Sequence, residues 1–140
     1  MTVPMILLPV FVLVLLTLFL ALWMGYERNR VIYSKEVRIK DIALSKEGWP
    51  EQAKKVSNSY HNQYELPVLF YVLVAFALIT KKADLIFVVL SWVFVVSRLL
   101  HAFIHTTSNR VPRRFFAYAF GLLILTIMWV YFAVQILAGI

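Results

Sequence analysis

Four stretches of this 140-residue chain contain no charged side chain: 1–26, 66–80, 85–97 and 115–140. No other feature restricts the fold as strongly. A run of about 20 apolar residues crosses a bilayer as a helix, whereas a water-soluble domain must interleave polar residues to cover its surface. With 62% of the residues hydrophobic, an ordinary globular domain and a disordered chain are both excluded. The expected fold class is all-α: a transmembrane four-helix up-down bundle, one domain over residues 1–140, with helices at roughly 4–27, 53–80, 83–106 and 112–138. The first run lacks the basic flank and small-residue cleavage site of a signal peptide, and is read as a retained helix.

Charge sets the expected orientation. Of the 14 Lys and Arg residues, eight lie in the first connection and its helical extension: Arg28, Arg30, Lys35, Arg38, Lys40, Lys46, Lys54 and Lys55. Arg98, Arg110, Arg113 and Arg114 fall on the same side, and only Lys81 and Lys82 on the other. Basic residues collect at cytoplasmic helix ends, so the first and third connections should face the cytoplasm and both termini should face away from it. The net charge of +7 is accounted for in this way and does not call for a nucleic-acid partner. The chain has no cysteine, which removes disulfides, thiolate metal ligands and a cysteine nucleophile. Any thiol chemistry must therefore use a thiol brought by a ligand.

The second and third uncharged runs are short. At 1.5 Å per residue they reach about 22 and 20 Å, less than a hydrocarbon core of about 30 Å. Both helices must therefore draw polar residues into the membrane, Glu65, Asn62 and His61 in one and Arg98, His101 and His105 in the other. Such residues turn toward the bundle interior or a wet cavity. Lys55, Asn58, Asn62 and Glu65 form one helical stripe, Arg98, His101 and His105 another, and Arg114 and Tyr118 stand one turn apart. A cationic, hydrogen-bonding pocket at one depth is the expected result. His101 and His105 have the spacing of a helical metal pair, but Arg98 one turn away repels a divalent cation, so no metal is expected. Arg113 and Arg114 also suit interfacial anchoring, and Glu65 with Arg98 also suits a purely structural ion pair.

At these residues the sequence resembles the MAPEG superfamily, the membrane-associated proteins of eicosanoid and glutathione metabolism. The resemblance is carried by Asn62-Gln-Tyr-Glu65-Leu-Pro67, by Arg98-x-x-His101-x-x-x-His105, and by Arg110, Arg114 and Tyr118 in succession. It implies a homotrimer with glutathione held between helices of adjacent subunits, in a multi-pass protein of the bacterial inner membrane. On this basis Arg28, Asn62, Glu65, Arg98, His101, His105 and Arg110 would bind glutathione, while Arg114 and Tyr118 would face its sulfur as the catalytic pair. Where glutathione-binding members commonly carry arginines this chain has Asn58 and His61. It has His105 where a tyrosine is common, and Phe115 where some members place a small hydroxyl residue.

The function so implied is a glutathione transferase or peroxidase acting on hydrophobic electrophiles or lipid hydroperoxides. A non-catalytic trimer that holds a phospholipid or fatty-acid head group in the same cationic pocket is the competing expectation, because arginines serve a phosphate as readily as a thiolate. A proton-coupled transporter fits less well, with Glu65 the one carboxylate at depth. Membrane lipids are expected partners in every case.

Overall fold

The computed structural model describes residues 2–33, 49–107 and 111–140. The chain forms α1 (Val3–Tyr33), α2 (Glu51–Asn62), α3 (Leu66–Thr80), α4 (Leu85–Thr106) and α5 (Val111–Ala138). No strand occurs among the described residues. Among the described residues, four spans are long and apolar enough to cross a membrane: α1, the α2–α3 unit Glu51–Thr80, α4 and Pro112–Ala138 of α5.

The second span differs from the one helix expected over 53–80, in which Pro67 allows a local kink just after Glu65. It is broken at Gln63–Glu65, where three successive amides bond three residues back: Gln63 to Tyr60, Tyr64 to His61 and Glu65 to Asn62. Pro67 is the cause. It has no N–H to give to the carbonyl of residue 63, its ring would press on that carbonyl, and it disfavours helical geometry at Leu66. The chain therefore leaves the helix a full turn ahead of the proline and restarts with Pro67 in the first turn of α3, where the missing donor is no loss.

Helix α1 runs further than the expected 4–27. Its 31 residues rise about 46 Å, more than a hydrocarbon core of about 30 Å. The last turns dock on α2 rather than fray. Arg28 Nη2 donates to Ser57 Oγ at 3.0 Å, and buried Glu27 accepts from Arg30 at 2.8 Å and from Trp23 Nε1 at 3.3 Å. Helix α2 in turn leans on the end of α4, where Gln52 and Lys55 donate to the carbonyls of Thr106 and Thr107. Those carbonyls have no partner inside their own helix, and a cation there complements the helix dipole.

Between the ends the bundle is apolar. Leu13, Phe70, Leu73, Phe87, Phe94, Leu125 and Met128 are fully enclosed, with Phe70 and Phe94 stacked at 4.9 Å. Large side chains such as Leu22, Ile79, Phe103, Phe116 and Leu137 point outward, the distribution suited to a lipid surround.

The end of the bundle opposite α2 is closed by Asp84. Its carboxylate caps α4 by accepting from the Phe87 amide at 2.9 Å, and also accepts from Tyr131 Oη and Gln135 Nε2. Partial burial pushes this carboxyl up, but the hydrogen bonds from Tyr131, the Phe87 amide, its own amide and Gln135 together outweigh it, so Asp84 ionises below its ordinary value. The resulting stability is present above the unfolded-chain pKa of about 3.9 and is lost as pH falls through the lower folded value. Tyr131→Phe should cost about 1 kcal/mol at neutral pH. Chemical denaturation at stepped pH should show the difference between wild type and Asp84→Asn shrinking below about pH 4. A constant difference would mean that the cap does not depend on the charge.

Candidate functional site

At the α2 end of the bundle a cavity of about 530 Å³ is lined by Asn58, His61, Asn62, Glu65, His101, His105, Arg114, Phe115 and Tyr118. Three elements converge on it. Helix α2 contributes through its helical stripe and the break that follows, so that Glu65 is the last residue before α3. Helix α4 brings His101 and His105, one turn apart and with ring centroids separated by 5.6 Å. Helix α5 brings Arg114 and Tyr118 on one face from its first two turns, where the positive end of the helix dipole adds to the cationic character.

Arg98 stands directly behind this wall. It is 1% exposed, its Nη2 lies 2.8 Å from Nδ1 of His101, and its guanidinium covers the Tyr118 ring at 5.6 Å. Among the described residues its Nε and Nη1 have no hydrogen-bond partner. The Tyr118 ring also approaches His101, at 5.9 Å between centroids. Arg98, His101 and Tyr118 thus form one packed unit across α4 and α5, with only the latter two reaching the cavity.

The sequence-derived stripes bring Asn62, Glu65, His101, His105, Arg114 and Tyr118 together. Two expectations turn out otherwise. Glu65 and Arg98 form no ion pair; those present among the described residues join Glu27 to Arg30 and Glu51 to Lys55. Because the helix breaks before Glu65, its exposed side chain lies at the cavity wall while Arg98 stays enclosed. Arg28 is the other difference: within this chain it contacts Ser57 and covers the Trp49 ring at 5.2 Å, and it does not line the cavity. Arg110 lies outside the described residues.

Asn58, already on the pocket stripe, and His61, already among the polar residues drawn into the membrane, both line the cavity, although neither had been given a ligand-binding role. Phe115 also lines it, and its place next to Arg114 is the signal that could have found it.

Gly121 lets the packed unit close. A Cβ there would lie 3.1 Å from Ser97 Oγ and 3.2 Å from Arg98 Nη1. Ser97 is committed to the Phe94 carbonyl at 2.6 Å, and Arg98 is held by His101 and Tyr118. Gly121→Val should therefore cost about 1–3 kcal/mol by overpacking, whereas Gly121→Ala recovers part of the loss through better helix propensity. Thermal denaturation in detergent should rank wild type and Ala above Val. Equal midpoints would show that the approach of α5 to α4 is loose.

Searches among curated proteins and solved structures return no match. The family model described as MAPEG family matches residues 6–134, a span that reaches into all five helices and takes in every cavity-lining side chain. The chain therefore belongs to the MAPEG family, which includes glutathione transferases and related enzymes.

Proposed function

We propose that this protein is an integral-membrane glutathione transferase or peroxidase that works as a homotrimer and activates the bound thiol as thiolate. The observation that carries the reading is the placement of Arg114 and Tyr118 in the same cavity as Glu65, Asn58 and Asn62. Glu65 suits the ligand's ammonium group, the two amides suit its peptide groups, and Arg114 with the Tyr118 hydroxyl suits the sulfur. A free thiol has a pKa of about 8.5 and is mostly protonated at neutral pH. An adjacent guanidinium and a phenolic donor favour the thiolate, the nucleophilic form.

Two reactions follow from one thiolate. With an electrophilic carbon, the sulfur lone pair forms the C–S bond and the displaced pair leaves with the leaving group, or moves to the end of a conjugated system and takes a proton. With a lipid hydroperoxide, the sulfur attacks the distal oxygen and the O–O bond breaks to alkoxide, which is protonated to the alcohol. The sulfenic acid left on sulfur is reduced by a second glutathione, giving disulfide and water. Exposed Phe115 and Phe116 at the start of α5 provide an apolar approach from the bilayer to the cavity wall.

Purified protein mixed with glutathione should develop the ultraviolet absorbance of a bound thiolate. Arg114→Ala should remove that signal and lower kcat by about 100-fold. Folded protein that binds no glutathione but retains anionic lipid through purification in a salt-sensitive manner would replace this reading with a phosphate or fatty-acid head-group site. Chemical cross-linking in mild detergent should give trimers; monomers or dimers alone would count against the assembly.

The orientation belongs to the same proposal, with the first and third connections in the cytoplasm of a bacterial inner membrane. The absence of native cysteine makes it directly measurable. Cysteines introduced at Thr2 and Lys82 should react with an impermeant maleimide added to intact spheroplasts, and one at Thr107 should react only after lysis. The opposite pattern would invert the topology.

A further inference from the structure

Arg98 is the largest fully buried side chain in the structure, and thiol activation as described does not use it. Its contact with His101 nevertheless carries chemical information. A guanidinium has donors and no acceptor, and a neutral imidazole has one of each. With Arg98 Nη2 at 2.8 Å from His101 Nδ1, Nδ1 must be the acceptor. The ring proton then sits on Nε2. Neither the opposite tautomer nor the imidazolium permits this contact, because both carry a proton on Nδ1.

Arg98 is held firmly to that task. Tyr118 covers its guanidinium, Gly121 borders it on the α5 side, and it is almost wholly enclosed. A ligand cannot touch it, yet its charge is carried forward through the ring. A cation bonded to one nitrogen polarises the imidazole and strengthens the N–H on the other side, as successive hydrogen bonds in a chain reinforce one another. His101 lines the cavity and Arg98 does not, so the cavity receives the effect as an aimed donor instead of a free charge.

We propose that Arg98 is a positioning residue that fixes His101 as the neutral Nε2–H tautomer, making His101 a charge-backed hydrogen-bond donor for a carboxylate oxygen of the bound ligand. Among the described residues that line the cavity, Arg114 is the one arginine or lysine. A peptide thiol with two carboxylates and a developing thiolate needs a further anion-binding element. The Arg98–His101 relay supplies one without adding a second solvated cation that would compete for the sulfur. The identity of the ligand rests on the proposed function; the tautomer does not.

Nitrogen-15 NMR of histidine-labelled protein in lipid nanodiscs tests the two parts separately. Without ligand, the His101 signals, assigned by their loss in His101→Gln, should show an unprotonated Nδ1 and a protonated Nε2 at neutral pH. Arg98→Met should give mixed tautomers, and Arg98→Lys should restore the single form. A protonated Nδ1 in wild type, or an unchanged tautomer in folded Arg98→Met, would overturn the assignment. If Arg98→Met does not fold, the wild-type spectrum alone decides.

Glutathione and S-methylglutathione, which keeps both carboxylates but has no thiol, are then added in turn. Both should shift the His101 Nε2–H resonance, and Arg98→Met should weaken binding about tenfold. A shift with glutathione alone would place the contact at sulfur and refute the carboxylate role. Binding of both with no shift would refute any contact. Failure of glutathione to bind at all would defeat the ligand half together with the proposed function, while the tautomer would still stand or fall on the ligand-free spectrum.

Discussion

A guanidinium sealed between apolar helices sets the terms for the α2 end of this bundle. Removing such an ion from water costs several kcal/mol even after relaxation, and among the described residues Arg98 meets that cost without an ion-paired carboxylate. The face of Tyr118 and the Nδ1 lone pair of His101 do the compensating. The arrangement fixes the ring of Tyr118 at the cavity wall, the protonation pattern of His101, and the need for a small residue at 121. Several features that look separate in the sequence are thus consequences of one buried cation.

The spans were legible because hydrocarbon tolerates so little. Uncharged runs marked them, and the shortness of two runs showed that polar side chains had to enter the bundle. Helical spacing then identified the faces, and Asn62, Glu65, His101, His105, Arg114 and Tyr118 do meet in one cavity. Periodicity describes a face, though, and not a distance across a bundle. It could not show that Arg98 lies one layer behind the wall, nor that its partner is His101, three residues away on its own helix, instead of Glu65 on another.

The other differences have equally local causes. Pro67 announced a disturbance, but a proline spoils the bond to the residue four positions earlier, so the damage falls on the preceding turn, and Glu65 moves with it. Arg28 was expected at the pocket from the MAPEG resemblance alone; within this chain α1 continues to Tyr33 and Arg28 lies alongside Ser57 and Trp49. At the opposite end, no hydrophobic pattern could have matched Asp84 with Tyr131, 47 residues later in the chain.

The interruption at Gln63–Glu65 has an evolutionary consequence. In an unbroken helix every side chain shares one rotational register, so any substitution that re-seats the lipid-facing residues of α3 would swing Asn58 and Asn62 by the same angle. Three tight turns between the two segments act as a clutch. The anchoring half can drift in sequence to suit bilayers of different composition, while the cavity-lining half keeps its aim.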